Sequence, residues 1–277
     1  MNQIVNNIGR KPFLKWAGNK HRVISHILPV LPSGERLVEP FAGSCAISLV
    51  STYPNFLLSD TNADLIDLFI NIQTDADLIL KETENLFDGS NNNADAFYEL
   101  REEFNSSPNS IRKSSIFIYL NRHCFNGLCR YNKSGIFNVP FGKYTNPKCP
   151  KNEIMNFASF AKEATFYHQS FEDTFAQARP GDVFYCDPPY SPLTATSNFT
   201  SYSKNEFGEA EHVKLRDEAI RLSEQGTTVI ISNHRTEETL KLYKEAKIIE
   251  FNVSRLISSK ASTRNAAPEL LAIFDAR

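Results

Sequence analysis

Residues 187–190 read Asp-Pro-Pro-Tyr and follow the apolar run Val183, Phe184, Tyr185, which itself follows the turn signal Pro180-Gly181. β-favouring residues after a turn signal predict a buried strand. Pro188 and Pro189 cannot extend that strand, because neither has an N–H to give to a ladder. Their carbonyls lack matching donors from the same segment, and an ionised Asp187 is likewise acceptor-only. Tyr190 adds a flat aromatic face. Acceptors beside a stacking face suit a planar ring that carries an exocyclic amino group. Asp-Pro alone is a common turn; the whole run after an apolar strand carries the reading.

Two earlier stretches have the chemistry of a nucleoside-cofactor site. "LVEPFAGSCA" (37–46) reads as a strand, small residues and then a helix, so backbone N–H groups at the helix start would approach a ligand closely. "FLLSD" (56–60) ends the next strand on Asp60, a carboxylate suited to accepting ribose hydroxyls. Only Gly43 remains of a glycine-rich turn, with Cys45 where a further glycine might be, so a dinucleotide-binding dehydrogenase is weakly supported.

The elements that must position these residues follow from local pattern. Strands are expected at 37–41, 56–60, 165–168, 183–186, 227–232, 247–253 and 269–274, and helices at 20–31, 46–51, 210–224 and 237–244. Strands alternating with helices predict a mostly parallel α/β sheet. The late strands are close enough together to include an antiparallel edge.

The middle differs. From Asp64 to about Phe125 the pattern is helical, with Asn109-Ser110 after Pro108 as a start signal. Acids dominate to Glu103, and none then occurs until Glu153, while Arg112, Lys113, Arg122, Arg130, Lys133, Lys143 and Lys148 do. Basic residues interleaved with Tyr131, Phe137, Phe141 and Tyr144 are the local footprint of a nucleic-acid reader. The expected organisation is an inserted helical, nucleic-acid-reading domain, 63–150, splitting an α/β domain formed by 1–62 and 151–277.

Composition narrows the class. The formal charge of −2 gives no overall sign of a polyanionic partner. Five scattered cysteines without Cys-x-x-Cys spacing argue for reduced thiols, against a disulfide framework and against structural zinc. No apolar run reaches membrane-spanning length, and "MNQIVNNIGRKPF" lacks a signal-peptide core. The expectation is a soluble cytoplasmic protein with no metal and no membrane partner.

Taken in order, "FLKWAGNK" (13–20), "VEPFAGS" (38–44), "LSDTNADLI" (58–66), "LNRHCFNGLCRYN" (120–132), "FNVPFGKY" (137–144), "VFYCDPPYSPLTATSNFT" (183–200), "ISNH" (231–234) and "SRLISS" with the later "ELLAIF" resemble the bacterial DNA adenine methyltransferases. The resemblance spans nearly the whole chain. It implies a Rossmann-like, S-adenosylmethionine-dependent methyltransferase sheet with an inserted, mostly helical DNA-recognition domain. The implied activity is methylation of the exocyclic N6 of adenine in double-stranded GATC, by base flipping and in-line transfer, for which a monomer suffices. Asp187, Pro188, Pro189 and Tyr190 are then catalytic, and Trp16, Lys20, Phe41, Gly43, Asp60 and Asp187 hold the cofactor.

The resemblance carries Lys15 to an outer guanine and Arg130 to the guanine of the other half-site. Phe125 takes the place of a wedging aromatic, with Asn126 and Leu128 beside it in the groove. Arg122 and Asn138 join the DNA-binding set. Lys143 and Tyr144 fit phosphate contacts, and Thr194 supports the flipped nucleotide. Asn19 and Cys45 depart from the family's glycines. Three other readings stay open: the same chemistry on a longer GAT-containing site, an RNA or protein amino-group methyltransferase, and a non-catalytic DNA-binding regulator.

Overall fold

The computed structural model describes residues 9–190, 207–253 and 267–277. The strands are β1 (Arg36–Glu39), β2 (Asn55–Asp60), β3 (Ala164–His168), β4 (Asp182–Cys186), β5 (Thr228–His234), β6 (Lys247–Val253) and β7 (Ala267–Phe274). They form one seven-stranded sheet in the order β3-β2-β1-β4-β5-β7-β6. β1 runs parallel to β2 and β4, and β4 to β5. β7 is antiparallel to both β5 and β6, so the antiparallel strand lies inside the late part of the sheet rather than at its edge. The first five strands take the doubly wound order 3-2-1-4-5, which reverses between β1 and β4. In such sheets ligands bind beyond the carboxyl ends of the strands at the reversal. Phe41 follows β1 and Asp187 follows β4 there.

The helices are α1 (Ile24–Ile27), α2 (Ala63–Thr74), α3 (Ala76–Leu86), α4 (Ala94–Ser106), α5 (Ile111–His123), α6 (Lys151–Ala161), α7 (Phe171–Phe175), α8 (Glu209–Glu224) and α9 (Glu237–Leu242). Asn62, Asp75, Asn93, Ser110, Ser170 and Thr236 each accept a backbone N–H at a helix start. Each such cap contributes about 1 kcal/mol by satisfying a donor the helix leaves open.

Two expected helices differ. The helix expected at 46–51 is only a 3-10 turn, Ser48–Val50. Six residues that include Ile47 and Val50 are too few to nucleate a helix, and the preceding Gly43 and Cys45 hold φ of 46° and 56°. The backbone N–H array expected from a helix start after β1 is therefore not formed. The helix expected at 20–31 is broken into 3-10 turns at Lys20–Val23 and Leu28–Val30 around the single turn of α1. Pro29 lacks the N–H that an α-helical continuation requires.

The chain forms two compact units, Met1–His21 with Gly43–Thr52 and Asp60–His168, and Arg22–Ala42 with Tyr53–Ser59 and Gln169–Arg277. The expected recognition segment 63–150 falls within the first. That unit is built around α5, buried from Ser114 to Asn121 on all sides, its buried polar Ser115 and Asn121 being hydrogen-bonded to the Ile79 carbonyl and to Lys15. Its aromatic core includes Phe13 against Phe157 at 5.0 Å and Phe104 against Phe117 at 5.5 Å. In the second unit Leu215, Ala219 and Leu222 of α8 recur at helical spacing and pack with Phe184, Val229 and Ile231 of the strands.

Candidate active site and nucleic-acid interface

In the second unit, β4 is buried along its length and the chain leaves it at Asp187. Ser232 of β5 donates its hydroxyl to Asp187 Oδ1 at 2.8 Å. The parallel register pairs Cys186 with Ile231, which brings Ser232 level with Asp187. Pro188 is buried and Pro189 exposed. Tyr190 donates its hydroxyl to Glu269 Oε2 at 3.1 Å and meets the His234 ring edge-on at 4.7 Å. Burial, reinforced by the Asp187 charge, holds the Tyr190 phenol well above its ordinary pKa, so it stays a donor. Phe41 stacks on Phe171 at 5.6 Å and meets Phe207 edge-on at 5.3 Å, forming an aromatic wall after β1.

The first unit holds the other expected cofactor residues. Gly43 N–H donates to Asp60 Oδ2 at 3.0 Å, and Asn62 N–H to Asp60 Oδ1 at 2.9 Å. Burial raises the Asp60 carboxyl, opposed by these backbone donors and by the charge of His168. A Cβ on Gly43 would lie 2.8 Å from Trp16 Nε1, so the absent side chain is what lets the indole approach. Lys20 is buried and donates to the Gly18 carbonyl at 2.8 Å. Asn19 donates to Ser44 Oγ at 2.9 Å, joining the two turns at the position where the family's glycine is replaced. Cys45 adopts a left-handed φ without being glycine.

The residues expected to read DNA lie in the first unit. The Asn121 side chain, fully buried, accepts from Lys15 N–H at 2.8 Å and donates to Lys15 C=O at 2.8 Å and to Gly127 C=O at 3.3 Å. It thus fixes the backbone of Lys15 beside the 3-10 turn Phe125–Gly127. Phe125 is 51% exposed, unusual for so large a ring, and Asn126 beside it holds φ 54°. Leu128 is half-buried and continues the chain towards Arg130. Lys15 Nζ lies 4.2 Å from the centre of the Tyr144 ring. Burial and the neighbouring Arg122 charge lower the Lys15 pKa.

Lys15, Arg122, Tyr144 and Lys148 line a cavity of about 400 Å³. Arg122 donates one Nη2 N–H of its guanidinium to the Phe13 carbonyl. Arg130 is exposed, and Asn138 receives its Nε at 2.8 Å and its Nη2 at 3.3 Å. Lys143 is exposed with φ 54°. Two cations of the basic tract are consumed internally: Arg112 pairs with Glu103 at 2.8 Å and Lys113 with Asp64 at 2.9 Å. Thr194 lies outside the described residues.

Ser232, Glu269, Asn121 and Asn62 were not singled out from the sequence. All four lie in quoted segments, Ser232 in "ISNH", Asn62 in "LSDTNADLI", Asn121 in "LNRHCFNGLCRYN" and Glu269 in "ELLAIF", but the partners of Glu269 and Asn121, 79 and 106 residues away, have no local mark. Among the described residues, no helix is long and apolar enough to cross a membrane, and no group of His, Cys, Asp or Glu could hold a metal ion.

The family model of the D12 class N6 adenine-specific DNA methyltransferases matches residues 16–257. A Serratia marcescens protein named DNA adenine methylase is 44% identical over 95% of this chain and 98% of its own length. An Escherichia coli K12 protein of the same name is 43% identical over 95% of each chain. Among solved structures, an rRNA methyltransferase from Streptomyces viridochromogenes superposes over 97% of this chain and 92% of its own, with a TM-score of 0.38 at 10% identity. At that distance the likeness adds nothing to the fold described above. The family match and the two relatives, each spanning most of the chain, establish its membership: it belongs to the D12 class N6 adenine-specific DNA methyltransferases.

Proposed function

We propose that this adenine-specific DNA methyltransferase acts on GATC in double-stranded DNA, on an adenine turned out of the helix, with S-adenosylmethionine as methyl donor. The observation that carries the reading is the Asp187 carboxylate fixed by Ser232 at the exit of β4. The adenine amino nitrogen is a poor nucleophile, because its lone pair is delocalised into the ring. Asp187 and the Pro188 carbonyl accept its two hydrogens and favour a pyramidal nitrogen whose lone pair is available. Positioning and electrostatics then supply the catalysis. Tyr190, with its hydroxyl bonded to Glu269 and its ring packed against His234, offers a ring of set orientation for stacking, which offsets part of an unstacking cost of about a few kcal/mol.

The residues fit the cofactor. Asp60, with two carboxylate oxygens, keeps lone-pair capacity beyond the backbone donors Gly43, Asn62 and Thr61, as a ribose diol requires. Gly43, Trp16, Lys20, Phe41 and Asp187 complete the set that would hold it, and it supplies an electrophilic methyl group. Residues 63–150 act as the DNA-reading domain. Within it Arg130, and outside it Lys15, meet guanines, Phe125 wedges beside Asn126 and Leu128, and Arg122, Asn138, Lys143 and Tyr144 support the duplex, while Thr194 supports the flipped nucleotide. A single copy of the chain in the cytoplasm suffices, without a metal.

Transfer of labelled methyl to matched duplexes containing GATC, GATATC or a scrambled site tests this. Incorporation into adenine of GATC alone supports it. Incorporation only into GATATC keeps the chemistry and overturns the base assignments, and none into any duplex overturns the reading.

A further inference from the structure

Arg130 stands between two residues fastened to the start of α2. Asn62, whose Oδ1 caps that helix at Leu65 N–H, donates its Nδ2 to Cys129 Sγ at 3.6 Å. Tyr131 donates its hydroxyl to Asp64 Oδ2 at 2.8 Å, and the other Asp64 oxygen pairs with Lys113 Nζ at 2.9 Å. Burial pushes the Cys129 thiol up to about 12 and raises the Tyr131 phenol, so both keep their protons.

Tyr131 bridges Phe137, and Asn138 N–H bonds the Arg130 carbonyl at 3.1 Å, so this stretch is one arm of a short antiparallel ladder. In such backbone residues i and i+2 share a face, and i+1 points to the other. Two anchors facing α2 therefore turn Arg130 outward. Asn138 then takes two of the five guanidinium N–H donors, which leaves three for a base edge.

We propose that Tyr131 and Asp64 are positioning residues for base discrimination, their hydrogen bond fixing the arm that presents Arg130. The inference rests on the reading of Arg130 as a guanine contact. Its physical content is preorganisation: a guanidinium held in place loses less freedom when it meets the correct base and adapts less readily to a wrong one.

The test compares the full-length wild type, Tyr131→Phe, Asp64→Asn, Asp64→Leu and Arg130→Ala. kcat and KM are measured on GATC duplexes and on duplexes with each base pair replaced singly, and thermal melting is followed in parallel. Tyr131→Phe and Asp64→Leu are expected to keep kcat on GATC, raise KM, and lower discrimination by about 5- to 10-fold at the one base pair that Arg130→Ala also relaxes. Asp64→Asn retains an acceptor oxygen and should retain discrimination. Wild-type discrimination in Tyr131→Phe, with Arg130→Ala relaxed, overturns the positioning role alone. A uniform loss on every duplex that tracks a lowered melting temperature also overturns it. An Arg130→Ala enzyme that discriminates as wild type overturns the guanine reading beneath it.

Discussion

Ser232 reaches Asp187 across adjacent parallel strands, its hydroxyl 2.8 Å from Oδ1, while the Tyr185 hydroxyl donates to Ser232 at 3.4 Å. A hydroxyl has one proton, so giving it to Asp187 rather than to the Cys186 carbonyl at 3.3 Å commits Ser232 to orienting the carboxylate. Asp187→Ala should lower single-turnover methyl transfer by roughly 10³-fold or more while leaving most duplex affinity. Ser232→Ala should cost about 1.5 kcal/mol, close to tenfold in kcat, with little change in KM. Near-normal turnover by Asp187→Ala would contradict the assignment.

Arg36 and Asp182 open β1 and β4 and face each other as a buried bidentate pair, with Nε to Oδ1 at 2.8 Å and Nη2 to Oδ2 at 2.7 Å. Arg36→Met leaves buried Asp182 with only the longer Arg179 contact at 3.9 Å and the Arg179 N–H at 2.9 Å, and urea unfolding should show a loss of about 3 kcal/mol. Replacing both residues by apolar ones should recover most of that loss. A single substitution as stable as wild type would show that the pair is not what satisfies Asp182.

Gly127 holds φ 63°, and a Cβ there would lie 2.3 Å from Lys15 Cδ and 2.6 Å from Lys15 Cβ. Gly127→Ala must displace either the Phe125–Gly127 turn or the Lys15 segment that Asn121 grips. Calorimetry should find a destabilisation of about 1–2 kcal/mol, and duplex titration a weaker cognate affinity. Unchanged values for both would mean that the two segments are not held together as described.

His123 is buried, stacked on Tyr119 at 3.9 Å, with its Nδ1 2.8 Å from the Tyr119 carbonyl. Burial above all lowers its pKa from 6.5 to about 4, and His212 is lowered to about 4 for the same first reason. Between those values the unfolded chain binds the proton and the folded one does not. Stability therefore falls as pH drops from about 6.5 to about 4, by up to about 3 kcal/mol for each histidine. His123→Phe should flatten the melting temperature against pH in that window. An unaltered slope would show that His123 is already charged in the fold.

The sequence by itself determined the local elements. Apolar, β-favouring runs marked all seven strands and Asn109-Ser110 marked the start of α5, because strand propensity and capping depend on neighbours within a few residues, whereas α6 and α7 were not expected. The same locality made Asp187 to Tyr190 legible, since acceptors without donors can be counted along four residues. Where local pattern misled, as at 46–51, left-handed backbone at Gly43 and Cys45 and a run too short to nucleate prevailed. Only the tertiary structure decided the strand order with β7 inside the late sheet, and with it the partners Ser232 for Asp187 and Glu269 for Tyr190. It likewise showed that Arg112 and Lys113 are consumed by internal ion pairs, and that Asn121 grips Lys15. Such hydrogen bonds and ion pairs join side chains brought together by folding across tens of residues, and composition and periodicity carry no record of which pairs will meet.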